Sequence, residues 1–266
     1  MRSPIVSVII PVYNAQHHIA SAIRSVLSQA PDDLQLILIN DGSRDNSLTI
    51  CREFAQADPR ILVIDQKNTG PGAARNAGLD AAKGDFIQFV DSDDVLLDGA
   101  VARMLAAIQG HDLVVAAFVL NQNRAATVRS LVKQDTSMDR AAFLNAYVRH
   151  PGSFYYSVLW NKLYIRELIE EKKLRFRTDI EWGEDFVFNA GYNGCIKRVA
   201  FLRDSVYQYN RSTKGQTWRT LFRVTRNIKV KMILHQSLRT LFIGEDLYRT
   251  YWWYVNRYVF NATLFN

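Results

Sequence analysis

Three short motifs in the first part of the chain carry residue types that bind charged ligands. They are PVYN at 11–14, NDGS at 40–43 and DSDD at 91–94, and each follows an apolar segment. Hard divalent cations such as Mg2+ and Mn2+ prefer oxygen ligands, and one or two carboxylates often hold them together with substrate phosphates. Asp91 and Asp93, which flank a single serine, are therefore candidate ligands of such a cation.

Each motif also has an explanation that needs no ligand. NDGS is ordinary turn sequence, Asp94 could cap a helix that starts near Leu96, and Tyr13 could be a core aromatic residue. Together the three motifs are harder to explain in this way. Carboxylates gathered at one place repel one another unless a cation or a donor-rich ligand offsets their charge.

The elements that position these motifs alternate between strand and helix. Apolar, β-branched segments predict strands, and the helical spacing of apolar residues predicts a helix after each of the first four. The predicted strands are 5–10, 34–39, 61–64, 86–90 and 113–120. This alternation predicts an α/β fold with a doubly wound, mostly parallel sheet. Ligands bind at the carboxyl ends of such strands, so Tyr13, Asp41 and Asp93 are expected to line one crevice.

The alternation stops after about residue 120. A polar stretch at 121–133 indicates a loop or a hairpin. Helices are predicted at 140–148 and 187–192, and short strands at 199–202 and 206–209. From Trp218 onward two long helical patterns follow, separated near Gly244. One compact domain with a helical C-terminal extension is the simplest organisation.

Composition and charge exclude several classes of protein. With 48% hydrophobic and 22% charged residues, the chain is neither disordered nor a coiled coil. Cys51 and Cys195 are too few for a disulfide scaffold or a four-cysteine zinc site, and they indicate a reducing cytoplasm. No apolar run is long enough for a transmembrane helix. The net charge is +7, and basic residues concentrate in the aromatic C-terminal part, which could contact RNA, an anionic lipid surface or a phosphate-bearing substrate.

A glycine-rich segment, NTGPGAARNAG at 68–78, opens the third predicted helix. Its backbone N–H groups could bind an anion. It lacks the Lys-Ser/Thr of a P-loop and the glycine spacing of the dinucleotide fingerprint, which argues against an ATPase or a dehydrogenase. The basic C-terminal part lacks an RNP-type or KH-type motif, so no nucleic-acid partner is predicted.

In order and spacing, PVYN, NDGSRDNS, NTGPGAARNAG and DSDD resemble the nucleotide-sugar domain of bacterial, inverting family 2 glycosyltransferases with the GT-A fold. The resemblance covers roughly residues 4–100. A weaker likeness continues through WNKLY at 160–164 and WGEDF at 182–186, which resemble the acceptor-side segment and the Glu-Asp motif of that family. The resemblance implies a catalytic domain over 1–210 and a basic, aromatic helical extension over 211–266. Within the domain, 1–100 would bind the nucleotide-sugar and 101–210 the acceptor.

The resemblance also implies roles for individual residues. Tyr13 would stack on the nucleotide base, Asp41 would accept a hydrogen bond from the base, and Arg75 would lie near the nucleotide and its phosphates. Asp91 would lie near the ribose, Asp93 would bind Mn2+ or Mg2+, and Asp185 would be the catalytic base, while Pro11 and Ser92 complete the nucleotide-sugar set. The family often has Asp where this chain has Asn40, but Asp41 is kept, so nucleotide binding is expected to survive.

The residues around Asp185 can be interpreted in two ways. Trp182 and Phe186 give Glu184 and Asp185 an apolar setting, which would raise the pKa of a carboxylate and suit a general base. The two acids could instead begin a helix and interact favourably with its dipole.

Further residues are candidates for contacts with the acceptor or the diphosphate. They are Trp160, Lys162, Trp182, Glu184, Arg211 and Lys214. Explanations without a ligand suit several of them equally well: the tryptophans could be buried in the core, and Arg211 and Lys214 could lie in a solvated loop. His150 and Asn210 are candidates for a third metal ligand.

The function predicted from these observations is metal-dependent, inverting transfer of a hexosyl or N-acetylhexosaminyl group. The donor would be a nucleotide-sugar, and the resemblance implies UDP as its nucleotide. The acceptor would be a hydroxyl of a glycan or lipid-linked glycan, as in polysaccharide or lipopolysaccharide biosynthesis. The alternative is a non-catalytic module that binds a nucleotide or glycan on the same fold.

The C-terminal part suggests where the protein works. Basic residues alternate with apolar ones over 218–241, and 248–265 is dense in aromatic residues. Basic amphipathic helices with aromatic anchors bind the interface of anionic membranes. The expectation is a cytoplasmic protein, peripheral on the inner face of a bacterial membrane. Dimerisation through these helices, or packing on the catalytic domain, are the competing expectations.

Overall fold

The computed structural model describes residues 5–29, 33–122, 125–150, 153–180, 182–210, 224–243 and 247–261. A ten-stranded sheet forms its centre. The strands are β1 (Val6–Val12), β2 (Leu34–Asp41), β3 (Ile61–Gln66), β4 (Phe86–Phe89), β5 (Val95–Leu96), β6 (Leu113–Gln122), β7 (Ala125–Arg129), β8 (Thr136–Asp139), β9 (Lys162–Ile165) and β10 (Arg198–Asn210). The helices are α1 (Ile19–Leu27), α2 (Ser47–Ala57), α3 (Pro71–Ala81), α4 (Ala100–Ala107), α5 (Arg140–Arg149), α6 (Phe154–Ser157), α7 (Arg166–Glu171), α8 (Glu184–Asn193), α9 (Val224–Ile243), α10 (Leu247–Thr250) and α11 (Trp252–Asn261).

The first half of the chain forms a parallel sheet, as its alternation of strands and helices predicts. Strands β3, β2, β1 and β4 lie side by side in that order, and all three pairings are parallel. The central strands β1 and β2 are buried along nearly their whole length, which explains their continuous apolar sequence. Their carboxyl ends therefore reach one edge of the sheet together.

The second half continues the same sheet with mixed pairings. The short strand β9 is antiparallel to both β4 and β6 and so joins the two halves. Strand β10 runs parallel to β6, and β5 is antiparallel to β10. The α/β fold class is confirmed, and the polar stretch after β6 is a hairpin, because β7 pairs antiparallel with β6.

Two local expectations from the sequence are wrong. The two short strands predicted at 199–202 and 206–209 are one strand, β10, whose register against β6 shifts near Ser205. The helix predicted from Leu96 begins only at Ala100, because Leu96 pairs with β10 instead. Asp94 therefore does not cap that helix.

The described C-terminal helices pack on the second half of the sheet domain. Helix α9 lies against α8, and its apolar side buries Val230, Leu234 and Leu238. A side chain at Gly183, which precedes α8, would come within 3.2 Å of Leu234. This packing on the domain is one of the alternatives expected for the extension. Within the described residues, every helix is too short or too polar to cross a lipid bilayer.

Candidate active site

The loops after β1 and β2 are tied together at the carboxyl edge of the sheet. The backbone N–H of Asn14 donates to Ser43 Oγ at 3.1 Å, and that of Arg44 donates to Asn14 Oδ1 at 2.8 Å. Asn14 adopts a left-handed backbone conformation, with φ of 51°, which aspartate and asparagine tolerate better than most residues. Next to it, the Tyr13 side chain stays 37% exposed and is free to contact a ligand.

Asp41 at the end of β2 is buried and holds the glycine-rich segment in place. Its Oδ1 accepts hydrogen bonds from the Thr69 N–H and from Gln66 Nε2, both at 2.9 Å, and its Oδ2 accepts from the Gly70 N–H at 2.8 Å. The first turn of α3 is therefore fixed against β2. Because each carboxylate oxygen has two lone pairs, Oδ2 keeps capacity for one more donor.

Arg75 in α3 is the centre of the site. Its buried guanidinium donates through Nη2 to Asp91 Oδ1 at 3.1 Å, and through Nη1 to Glu184 Oε1 at 3.1 Å and Asp185 Oδ1 at 2.9 Å. One side chain thus joins the loop after β4 to the first turn of α8. The residues expected on the donor side and on the acceptor side of the site meet at this guanidinium.

Asp185 combines partial exposure with a perturbed acidity. It follows Gly183, whose φ of 83° turns the chain into α8, and its side chain is 30% exposed. Burial raises the pKa of Asp185, the Arg75 guanidinium opposes that rise, and the charges of Glu184 and Asp91 add to it. A carboxylate with a raised pKa and access to solvent can accept a proton from a bound hydroxyl.

The DSDD motif forms a tight turn that is held by β10. The Asp94 N–H donates to the Asp91 carbonyl at 3.2 Å, and the buried Asp94 carboxylate accepts from Tyr207 Oη at 2.8 Å and from the Asn210 N–H at 2.7 Å. Burial raises the pKa of Asp94 to about 8, and the charges of Asp91 and Asp93 add to that effect. Asp94 supports the turn and is not the helix cap that the sequence offers as an alternative explanation.

Asp91 and Asp93 retain carboxylate oxygens for a cation. Asp91 uses Oδ1 for Arg75. Asp93 is exposed at the turn, and its carboxylate has no hydrogen bond or ion pair with a side chain in the described part of the chain. Among the described residues no group of three or more His, Cys, Asp or Glu side chains forms a complete metal site. The two carboxylates fit a divalent cation that takes its other ligands from phosphate and water.

The two candidates for a third metal ligand do not complete this site. The amide oxygen of Asn210 already accepts from Asn121 Nδ2 at 3.0 Å and Gln208 Nε2 at 2.9 Å, while its amide nitrogen donates to the Asp93 carbonyl. His150 is exposed at the end of α5, without a contact to the DSDD turn among the described residues. The expectation for Asn210 is wrong, because both of its lone pairs are occupied.

Trp160 and Lys162 were expected to contact the acceptor or the diphosphate. In the structure, both are buried residues that support the fold. The Trp160 ring is buried and stacks on Tyr207, with centroids 4.5 Å apart, and on Tyr209. Lys162 is fully buried, and its Nζ donates to the carbonyls of Tyr155 and Val158 and to the side chain of Asn161. Neither side chain can reach a ligand without leaving these contacts.

The remaining candidates have different surroundings. Glu184 lies in the site as a partner of Arg75, with 13% of its side chain exposed. Trp182, Pro11 and Ser92 are half-buried near the site residues that adjoin them in sequence. Arg211 and Lys214 lie outside the described residues.

Several site residues have no clear sequence signal. Phe176 lies under the Arg75 guanidinium, at 5.6 Å, and Tyr207 bridges the turn by accepting from the Asp91 N–H at 3.1 Å while donating to Asp94. Both belong to the second half of the chain, far from the acids that they support. Tyr207 reaches the site through strand β10, and Phe176 reaches it through the segment between α7 and α8.

Comparisons with known proteins show which proteins this chain resembles. A family model described as Glycosyl transferase family 2 matches residues 7–203. EpsH of Bacillus subtilis is 35% identical over 221 residues, which cover 79% of this chain and 61% of EpsH. The poly(ribitol-phosphate) beta-glucosyltransferase of Bacillus spizizenii is 28% identical over 208 residues, which cover 77% of this chain and 32% of that protein. This chain therefore spans less than two thirds of these relatives.

A solved structure shows the same fold. S. aureus TarS, crystallised in complex with UDP-GlcNAc, superposes with a TM-score of 0.73 over 89% of this chain and 71% of the TarS chain, at 22% sequence identity. The likeness extends beyond the parallel half of the sheet and confirms the GT-A-type α/β fold that the motifs suggest.

Proposed function

We propose that this chain, which belongs to glycosyltransferase family 2, transfers a sugar from a UDP-sugar to a hydroxyl group of a glycan or lipid-linked glycan, with inversion at the anomeric carbon. One observation carries the proposal: Asp185, the candidate base, and Asp91, at the donor-side strand end, share the guanidinium of Arg75. The division into a donor part at 1–100 and an acceptor part at 101–210 is part of the same proposal.

The proposed reaction needs one base and a good leaving group. The Asp185 carboxylate takes the proton of the acceptor hydroxyl as the acceptor oxygen bonds to the anomeric carbon. The bond from that carbon to the diphosphate oxygen breaks, and its electron pair leaves with UDP. No covalent intermediate is required, since the base and the leaving group act on opposite faces of the sugar. The raised pKa of Asp185 suits this role, because a stronger base takes the proton more readily.

The donor-side residues bind and orient the nucleotide in this proposal. The exposed Tyr13 ring stacks on the base, and Asp41 Oδ2 accepts a hydrogen bond from it. A divalent cation such as Mn2+ or Mg2+, held by Asp93 with Asp91 beside it, would offset the negative charge of the leaving diphosphate. Pro11 and Ser92 lie beside these groups in the sequence and complete the proposed donor surface.

The relatives support the choice of donor and acceptor. TarS was crystallised with UDP-GlcNAc, and the Bacillus spizizenii relative is named for transfer to poly(ribitol phosphate). We therefore take UDP-GlcNAc as the first donor to test, and a phosphate-bearing glycan as the first acceptor. Its phosphates would complement the basic character of the chain, whose net charge is +7.

Release of UDP distinguishes the proposed enzyme from a non-catalytic binding module on the same fold. The protein is incubated with UDP-GlcNAc and Mn2+, with and without poly(ribitol phosphate), and free UDP is measured. The proposed enzyme releases UDP slowly without acceptor, by hydrolysis, and faster with a suitable one. If UDP-sugars raise the melting temperature but no UDP is released with any donor in a UDP-sugar panel, the protein is a binding module.

We also propose that the C-terminal helices attach the protein to an anionic membrane surface on the cytoplasmic face. In α11, Trp252, Trp253 and Tyr254 are 45%, 76% and 50% exposed, and Arg249 and Arg239 lie in the neighbouring helices. Exposed tryptophan and tyrosine next to basic residues are typical of membrane-interface segments. Sedimentation with anionic vesicles tests this proposal.

A further inference from the structure

The Arg75 guanidinium contacts protein carboxylates on both of its terminal nitrogens. Nη1 donates to Glu184 and Asp185, and Nη2 donates to Asp91. The residue is only 5% exposed. These three bonds use three of the five guanidinium N–H groups, and Nε is buried without a hydrogen-bond partner among the described residues. A diphosphate that approached this buried guanidinium would also meet the negative charge of three carboxylates, so the structure does not support the phosphate-binding role that the resemblance implies.

An aromatic cluster fixes the direction of this guanidinium. Arg75 lies over the ring of Phe176, which stacks on Phe188 of α8 with centroids 4.2 Å apart and planes 5° apart. Phe176 also meets the edge of Phe89 in β4, with centroids 5.3 Å apart. Phe89 precedes Asp91 by two residues in the chain, and Phe188 follows Asp185 by three. The elements that carry both acids therefore pack on the surface that supports Arg75.

A second side chain of α3, that of Asn76, is tied to the same cluster. Asn76 donates from Nδ2 to the Phe176 carbonyl at 2.9 Å and accepts from the Phe176 N–H at 2.8 Å. The side chain of Arg75 and that of the next residue thus hold one segment from two directions. A guanidinium seated in this way loses little further conformational freedom when it pairs with carboxylates.

The charges around Asp185 are unbalanced. One guanidinium faces the carboxylates of Asp91, Glu184 and Asp185. Among the described residues, Lys162 is a second cation that acts on Asp185, and the neutral Tyr164 hydroxyl lies near the same carboxylate. Burial lowers the pKa of Lys162, which weakens it as a countercharge. Arg75 is therefore the principal group that lowers the pKa of Asp185, and its hydrogen bond holds the carboxylate in place.

We propose that Arg75 is a positioning residue, which holds the Asp185 carboxylate at a fixed place relative to Asp91 and does not bind the donor diphosphate. The inference rests on the proposed function, because it assigns Asp185 as the base. It adds that Asp91, the donor-side acid, and Asp185, the acceptor-side base, are held at a fixed distance from each other because both bind the same guanidinium. A displacement of about 1 Å at a reacting group can cost about 100-fold in rate, so the loss of this guanidinium affects turnover more than binding.

The variants Arg75→Met and Arg75→Lys test the inference. We expect kcat to fall about 100-fold in Arg75→Met, while the KM for UDP-GlcNAc and the affinity for UDP measured by calorimetry stay near the wild-type values. Arg75→Lys restores part of kcat, because an ammonium can pair with one or two of the three carboxylates but cannot match the fork of a guanidinium. Arg175→Met is the matched control, since Arg175 also bridges two acids, Asp80 and Glu170, outside the site.

The pH dependence of kcat separates positioning from a general loss of structure. Arg75 lowers the pKa of Asp185, so its removal raises that pKa further, and the fall of kcat at acid pH begins at a higher pH in Arg75→Met than in the wild type. The control variant keeps the wild-type profile. If Arg75→Met fails to fold, the double variant Arg75→Met/Glu184→Gln removes one of the unpaired carboxylates and takes its place in the same assays.

Two results would overturn the inference. A UDP affinity that falls in parallel with kcat would assign Arg75 to the diphosphate. An unchanged kcat and pH profile would remove any role in turnover. A wild-type protein that binds UDP-GlcNAc but never releases UDP would instead contradict the proposed function, and this inference with it.

Discussion

At the scale of single residues, Asp91 and Asp93 lie two positions apart but have different surroundings. Asp91 pairs with a buried arginine, whereas Asp93 is exposed and its carboxylate has no hydrogen-bond or ion-pair partner among the described residues. A cation at this turn would therefore depend most on Asp93, whose charge is not already offset. Asp91 would keep its contact with Arg75 through one oxygen and could offer the other.

We predict that Asp93→Asn abolishes the effect of Mn2+ on nucleotide binding. UDP at about a hundred times its dissociation constant should raise the free energy of unfolding by about 2.7 kcal/mol. In the wild type, Mn2+ should strengthen UDP binding and so increase this stabilisation at a given UDP concentration. Thermal unfolding with UDP, with and without Mn2+, measures this increment. Asp98→Asn is the control, because Asp98 is an exposed acid in the loop that follows β5. An Mn2+ increment that survives in Asp93→Asn would exclude Asp93 as the metal ligand.

The sequence identifies the acids of the site better than their partners. Strand-end patterns single out Asp41 and Asp93, and the resemblance of WGEDF to the family's Glu-Asp motif singles out Asp185. The same patterns do not distinguish Trp160 in the core from a tryptophan that binds sugar, because both are aromatic residues beside polar ones. Nor do they show that Arg75 pairs with acids up to 110 positions away along the chain.

At the scale of secondary structure, the first four strands follow directly from composition. Buried parallel strands must be apolar on both faces, so their sequences are easy to recognise. Strand β9 has only four residues and β5 only two, and their pairing depends on neighbours that are distant in sequence. The site depends on these strands, since β9 links the first half of the sheet to the second.

The C-terminal helices carry a prediction at this scale. The protein should sediment with vesicles that contain phosphatidylglycerol, and binding should weaken as salt increases, because exposed tryptophans and basic residues act together. Replacing Trp252 and Trp253 by serine should reduce the bound fraction. Val128→Ser is the control, since Val128 is 63% exposed on β7. Equal binding by all three proteins, or no binding by the wild type at low salt, would rule out attachment through this surface.

At the scale of the whole molecule, the site forms where two halves of one sheet meet. The first half supplies Tyr13, Asp41 and the DSDD turn, and the second supplies Asp185 and the strand that holds the turn. The sequence predicts the first half almost completely, through the resemblance over residues 4–100 and the regular strand pattern. The meeting of the halves is a property of the tertiary fold, because it depends on β9, β10 and the aromatic packing between them.

The most direct test of the account compares Asp185→Asn with the wild type. Asparagine keeps the size of the side chain but cannot accept the acceptor proton, so transfer from UDP-GlcNAc should fall by about 100- to 10,000-fold while the affinity for UDP is unchanged. Asp179→Asn, which alters an acid that pairs with Arg177 and Lys229 outside the site, should transfer at the wild-type rate. Wild-type turnover by Asp185→Asn would contradict the account.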